Sequence, residues 1–378
     1  MAGHSCVRLM TTNYIDLDLL TFTDVSSEQV AFPVTNAYNA QRRSKVWRSN
    51  GYFNVTSLNN VIIFNEGGGD LTATIAVGEY TSASALATAV DTALTTAPGA
   101  SGSYTVTYSS FFKFNLSKSA GTFNIKWTNV LTTAADLLGY SDAMDDTGLL
   151  TYDADFIRIH TEEFVLWDFG IETNPMAFMF IGPRNRPIRI SPSAAIYLQG
   201  NETNNFEDPS YNTQITYDDE VMSLLSDTGL HTDALRYWRL LIIDKENTNG
   251  FVEVGAFFLG DYFDPDRGRV QFPLESSFVD RSTTVFSEGG QTYSDVREQT
   301  QQFRINWFAL QKQDIEELKE IFFDYGTSFP FFVVFDATGG FSTNVNRMIR
   351  YCKFETPPSF SLERSNLFRA QMSLREEL

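Results

Sequence analysis

The side chains that could do chemistry are few and scattered. The three histidines, His4, His160 and His231, share no ligand spacing. His160-Thr161-Glu162-Glu163 lacks the second histidine that a zinc-binding helix places one turn further on. Asp261, Asp264, Asp266 and Gly268 make an acidic loop of the oxygen ligands calcium prefers. Their spacing departs from the EF-hand pattern, so a solvated turn is the favoured reading. Gly67-Gly68-Gly69 is not followed by Lys-Ser/Thr and reads as a hairpin turn, not a phosphate cradle. No serine sits in a Gly-x-Ser-x-Gly elbow. Adjacent carboxylates such as Glu162/Glu163 and Asp218/Asp219 are expected in so acidic a chain and do not point to glycoside hydrolysis. Two cysteines, Cys6 and Cys352, make neither a disulfide framework nor a metal site; both are expected as free thiols, Cys352 as a small buried hydrophobe. No catalytic residue, metal or cofactor follows from these residues, and the expectation is a protein that is not an enzyme.

Aromatic and cationic residues are the better candidates. Trp47, Arg48 and Trp238, with Trp167, could form a platform for a sugar ring, although aromatic residues alternating along strands more often fill a core. Strict alternation would put Arg236 on one strand face with Trp238, and Arg239 on the other with Tyr237. Arg239 is expected to pair with a carboxylate of the same domain. Phe322, Phe329, Phe331 and Phe332 are candidates for packing between subunits.

These residues need elements to hold them. At 378 residues the chain is long enough for two or three domains. The aromatic share of 14%, with 33 Phe, favours β-rich packing and broad contact surfaces. A formal charge of −19 argues against nucleic acid and against an anionic membrane surface as partners. The C-terminal part is nearly balanced in charge, which suits packing against copies of itself, whereas the middle is acidic. Apolar runs such as Met176–Ile181 and Phe329–Phe335 are too short to span a bilayer, and no secretory leader is apparent. Synthesis in a cytoplasm is the expectation.

The central stretch, Phe164 to Gly260, reads as strands with aromatic, apolar and arginine residues at alternating positions. Upstream, Asn13 to Asp24 alternates like a strand. Residues 52–156 read as a small α+β unit: a helix capped by Ser82 carries Leu86, Val90 and Leu94 on one face, between strands on either side, and a short helical turn follows near Ala134–Gly139. Asp218 to Ser226 reads as a helical turn with Val221, Leu224 and Leu225 facing inward. Asp264-Pro265-Asp266-Arg267-Gly268 reads as a linker. Beyond it, Gln311 to Tyr325 is a helix with Ile315, Leu318, Ile321, Phe322 and Tyr325 on one face and Gly326 as its stop, followed by the aromatic strand Phe329–Phe335.

Three resemblances follow from these residues. Asn36, Trp47-Arg48, Trp167-Asp168-Phe169-Gly170, Leu235-Arg236-Tyr237-Trp238-Arg239-Leu240 and Glu253-Val254-Gly255 resemble the discoidin-like, galactose-binding-like β-sandwich, with Phe169 in place of the usual leucine. The long interval from Trp47 to Trp167 makes residues 52–156 an insertion. With Gly78-Glu79-Tyr80-Thr81 before its helix and Leu137-Leu138-Gly139 near its end, the insertion is similar to a small module of phage tail and virion proteins. Residues 269–378, with helix, aromatic strand and a Ser373-Leu374-Arg375-Glu376 ending, resemble the ring domain of distal tail proteins of long-tailed phages. The resemblances imply a mainly β chain with α+β parts. A discoidin-like sandwich would occupy residues 1–51 and 157–264, the inserted module 52–156, and a tail-tube-like ring domain 265–378. They imply a structural virion protein of the tail tip or baseplate, at the distal end of the tail. Its partners would be itself as a homo-oligomeric ring, and tail tube, tail hub or fibre proteins. The alternative is a tail-tip protein whose sandwich binds host-surface glycan through Trp47, Arg48 and Trp238.

Overall fold

The computed structural model describes residues 7–15, 22–38, 45–50, 53–158, 162–183, 188–245, 247, 249–265, 269–270, 275–280, 282–297, 299–335 and 348–377. The chain is mainly β with α+β parts: 46% strand against 11% helix, arranged as several sandwich-like layers.

The sandwich has two layers. One is a five-stranded sheet in the order Tyr211–Gln214, Ala195–Asn201, Leu235–Ile243, Glu163–Thr173 and Phe22–Val25, all antiparallel. Facing it are Val221–Leu225, Ala177–Ile181 and Ala256–Phe263. Val165, Trp167, Trp238, Leu240 and Ile242 from the first layer meet Phe178, Phe180, Phe257 and Leu259 from the second in one core. Trp167 lies 6.0 Å from Phe178 and 5.5 Å from Phe257, ring centre to ring centre, the edge-to-face range that adds to plain burial.

Two expectations are corrected here. Val221–Leu225 is a strand, not a helical turn: Ile181 pairs with Val221 and Ala177 with Leu225. A short apolar run fits either period, and the free edge of Ala177–Ile181 takes up its backbone groups. The strand expected over Asn13–Asp24 is two strands, Arg8–Asn13 and Phe22–Val25, in different sheets; residues 16–21 lie outside the described residues.

Residues 53–154 hold a core of their own. Helix Ala83–Thr95 begins at Ser82, whose hydroxyl accepts from the Ala85 amide, and it buries Leu86, Val90 and Leu94. It packs against Tyr104–Tyr108 and Asp70–Thr74. One carboxylate ties the turn beneath it. Glu66 accepts from the Ser101 amide at 2.8 Å, the Ser101 hydroxyl at 2.5 Å and the Tyr104 hydroxyl at 2.7 Å, and lies 3.2 Å from Lys118 Nζ. Burial pushes the Glu66 carboxyl up, but these donors outweigh it and hold it at about 2. A depressed carboxyl contributes stability above its ordinary value of 4.5 and loses it as pH falls toward 2. Glu66→Gln is therefore expected to cost about 2 kcal/mol at neutral pH and to flatten the acid dependence between those values. Thermal melts of parent and variant at pH 7 and pH 3 check this; two parallel curves offset equally at both pH values would contradict it.

The sandwich and the C-terminal part are not separate sheets. Strand Arg8–Asn13 pairs on one side with Ala256–Phe263 (Leu9 with Phe263) and on the other with Phe331–Val334 (Arg8 with Val334). One sheet thus continues from Val221–Leu225 through this seam to Phe331–Val334, Ile349–Phe354, Leu367–Glu376 and Thr300–Leu310. It passes across the boundary expected near Asp264. Arg8 is buried at the seam, 3.1 Å from Asp264 and 2.5 Å from Asp227, with its guanidinium 4.4 Å over the Tyr262 ring.

Helix Lys312–Tyr325 covers one face of that sheet with Ile315, Leu318 and Ile321. Gln311 and Asp314 close its first turn as a capping box, and Gly326 ends it. Leu9, Phe263, Trp307, Phe331 and Phe354 complete this core.

Candidate assembly surface

The tryptophans picked out as a sugar platform are not on the surface, and Arg48 is only partly exposed. Trp47 and Trp238 are both fully buried. Trp47 lies in the two-residue strand Trp47–Arg48, paired with Glu253–Val254, and its Nε1 donates to Ser27 O at 3.2 Å. Trp238 Nε1 donates to Leu235 O at 3.1 Å. Neither ring has a free face, so the strand aromatics are core. Arg48 lies between the rings of Phe32 and Phe251, at 4.1 and 4.4 Å, and its Nε and Nη2 reach Glu253 Oε2 at 2.8 and 2.5 Å.

Of the two strand arginines, Arg239 lies on the face of Tyr237 as expected, whereas Arg236 does not share the face of Trp238. Leu235 and Trp238, three apart, both enter the core, because the register with Glu163–Thr173 shifts between Asp168 and Thr173. Arg236 therefore leaves the face of Trp238 and grips Asp168 through two bonds of 2.7 and 2.8 Å. The guanidinium holds the Asp168 carboxyl below the usual range. Among the described residues Arg239 pairs with no carboxylate, contrary to expectation; its Nε and Nη2 both donate to the amide oxygen of Gln199.

The acidic loop is already engaged. Asp261 accepts from the Tyr14 hydroxyl at 2.5 Å, and Asp264 from Arg8. Asp266 and Gly268 lie outside the described residues, as do His4, His160 and Cys6. Among the described residues, no three of His, Cys, Asp and Glu gather as a metal site would require. Cys352 is fully buried, which pushes its thiol well above the ordinary value.

The phenylalanines expected between subunits mostly pack within the chain. Phe331 joins the core under the helix, 5.0 Å from Phe354. Phe332 points to the opposite face, 6.2 Å from Phe258 and 4.8 Å from Tyr351. Phe322 is half-buried against Phe354 at 5.3 Å. Phe329 is the exception, with 39% of its surface exposed.

Exposed apolar side chains occur in several places, Phe111, Val130 and Phe323 among them, and one group of them lies on a β arm. Glu275–Val279 leaves the main sheet paired with Thr300–Leu310, Glu275 opposite Arg304 and Val279 opposite Thr300. Between these two strands in sequence lie Thr283–Phe286 and Thr292–Asp295, a hairpin paired with nothing else among the described residues. The tip turns at Ser287–Gln291, where the Ser287 amide donates to Gln291 O and the Gly290 amide to Ser287 O, both at 2.9 Å. Gly290 takes a φ of 79° there, which its missing Cβ permits. Every residue of the two hairpin strands is exposed. Val285 and Tyr293, directly opposite each other, share one face, and Phe286 sits on the other; they are 63%, 60% and 71% exposed. Phe278 and Val296 extend the apolar surface toward the base. The arm was not singled out from the sequence. Its signal was there: Thr-Thr-Val285-Phe286 and Thr-Tyr293-Ser-Asp flank Ser-Glu-Gly289-Gly290-Gln, two β-favouring runs around a glycine turn.

A two-stranded ribbon is marginal by itself in water, and its two outer edges offer unpaired backbone groups. With apolar side chains on both faces it can be covered by another chain on either side or extended as a sheet.

No family model matches the chain, and no curated protein does. Among solved structures it is similar to CpGH89CBM32-6 produced by Clostridium perfringens, at 19% identity over 26% of this chain and 69% of that one, with a TM-score of 0.18. A likeness at that level carries no argument about this chain.

Proposed function

We propose that the chain is a structural subunit that assembles with copies of itself through the arm 275–304, as an oligomeric ring or adaptor. The setting that fits is the distal end of a phage tail, joining the tail tube to tail-tip or fibre proteins. The observation that carries the reading is the hairpin Thr283–Asp295, exposed on both faces with Val285, Phe286 and Tyr293 uncovered. Another copy laid along it would remove that apolar surface from water and pair its free edge. The order of helix and aromatic strand in residues 269–378, and their near-balance of charge, support close packing of like subunits. Sedimentation velocity of the full chain over a wide concentration range tests the reading: a species larger than the monomer must appear as concentration rises, and a monomer throughout would sink it.

A second reading, that the sandwich binds host-surface glycan, is supported by the outer face of its five-stranded sheet and not by Trp47, Arg48 or Trp238.

A further inference from the structure

The outer face of the five-stranded sheet carries a cation, Arg239, that has no carboxylate in contact among the described residues. One row across the strands runs Asn212, Gln199, Arg239, Leu166 and Asp24. Trp238 and Leu240 on either side of Arg239 enter the core, so Arg239 projects outward. Its Nε and Nη2 converge on Gln199 Oε1 at 2.8 and 2.6 Å. Gln199 is almost wholly buried and donates from Nε2 to Asn212 Oδ1 at 3.3 Å. The guanidinium lies 4.3 Å from the Phe206 ring and 5.7 Å from the Phe164 ring. The nearby carboxylates do not neutralise it. Asp168 is gripped by Arg236, Asp24 stands two strands away, and Glu162 is felt through space without forming an ion pair.

A half-buried full charge that only a neutral amide satisfies is costly, and an arriving anion relieves that cost. Burial weakens the guanidinium's hold on its proton, the expected sign of such a charge. The surroundings suggest what carries the anion. Tyr197 and Tyr237 are half-buried on the same face, and Asn212 brings an exposed amide beside them, while the Asn201 side chain is held by Asn205, Glu202 and Ser210. Aromatic rings suit the C–H face of a pyranose, amides suit its hydroxyls, and a guanidinium edge suits a carboxylate.

We propose that this face binds a carboxylate-bearing sugar unit, with the carboxylate on the Nη1 edge of Arg239 and the hydroxyls toward Asn212. This deepens the glycan reading of the sandwich and is independent of the arm. The site needs no residue of the sequence-predicted platform.

Saturation-transfer NMR on the full chain tests it, with glucuronic acid and N-acetylneuraminic acid as probes and glucose, acetate and a poly-glutamate peptide as comparisons. Both acidic sugars are expected to bind, and glucose at least about tenfold more weakly. Arg239→Gln is expected to weaken the acidic sugars by about tenfold or more. Asn212→Asp, at an exposed position, adds a repelling carboxylate beside the site without burying it and should act in the same direction; it decides the matter if Arg239→Gln does not fold. Glucose binding as tightly as the acidic sugars overturns the carboxylate role and leaves the glycan reading intact. Acetate or poly-glutamate binding as tightly as the acidic sugars overturns the sugar. No sugar binding at all overturns both the proposal and the glycan reading.

Discussion

Gly260→Ala is expected to disrupt the seam between the sandwich and the C-terminal sheet. A Cβ on Gly260 would lie 1.7 Å from Thr12 O, a backbone atom that cannot rotate away. The strand cannot retreat either. On its other side Gly260 is opposite Ala177 and accepts from the Met176 amide at 3.0 Å, while Leu259 O is held by the Tyr14 amide at 2.8 Å. Arg8–Asn13 already accommodates the approach by a register shift between Met10 and Asn13. Forcing the strands apart would open the buried contacts of Leu9, Met10 and Phe263 and break the pairing that carries Phe331–Val334. A loss of about 3 kcal/mol or more follows, large against a total stability of roughly 5–15. Gly68→Ala is the control: its Cβ would meet nothing within 4 Å, so the change should stay within about 0.5 kcal/mol. Denaturant unfolding of both variants checks the pair. A Gly260→Ala protein that unfolds with the parent would mean the seam is not packed as described.

The second large effect is expected on association and not on folding. Phe286→Asp, at a residue 71% exposed, removes little surface that the single chain buries. Its melting temperature should stay close to the parent's. In the assembly the same side chain would be covered, and burying a phenylalanine is worth roughly 1.5–3 kcal/mol, about ten- to a hundredfold in an association constant. An unpaired aspartate placed there adds a desolvation cost. Parent and variant compared by light scattering should therefore differ strongly in mass at equal concentration and hardly at all in stability. Equal association would remove Phe286 from the interface. A variant that unfolds early would mean the arm is folded against its own chain.

Much of the local structure was legible from spacing alone. The helix Lys312–Tyr325 declared itself through Ile315, Leu318 and Ile321 on one face and Gly326 at its end, and the helix after Ser82 through its cap and Leu86, Val90 and Leu94. What could not be read was set by pairing between distant strands. Val221–Leu225 has the apolar spacing of a helical turn, and the open edge of Ala177–Ile181 makes it a strand. The seam strand Arg8–Asn13 offers no local sign that its partners lie beyond residues 250 and 330.

Site residues divide the same way. Aromatic strand residues name a contact without saying with what: Trp47, Trp238, Phe331 and Phe332 all met their own chain. Strict alternation misplaced Arg236 because a register shift at Asp168–Thr173 turns the strand by one residue. Burial decided the rest. The uncovered apolar side chains of the hairpin, Val285, Phe286 and Tyr293, stand in a run of Thr, Ser and Gly that composition alone marks as an ordinary hairpin.

If this arm is the surface another copy covers, amide hydrogen exchange read along the full chain at rising protein concentration shows it directly. At low concentration the amides of Thr283–Phe286 and Thr292–Asp295 should exchange fast, as an isolated ribbon does. As concentration rises, protection should grow in those two segments and at the arm's base, Glu275–Val279, while the buried strands Glu163–Thr173 and Ala256–Phe263 stay as they were. Protection that appears on another surface, or an arm whose exchange is the same at every concentration, would mean that copies do not meet through the arm.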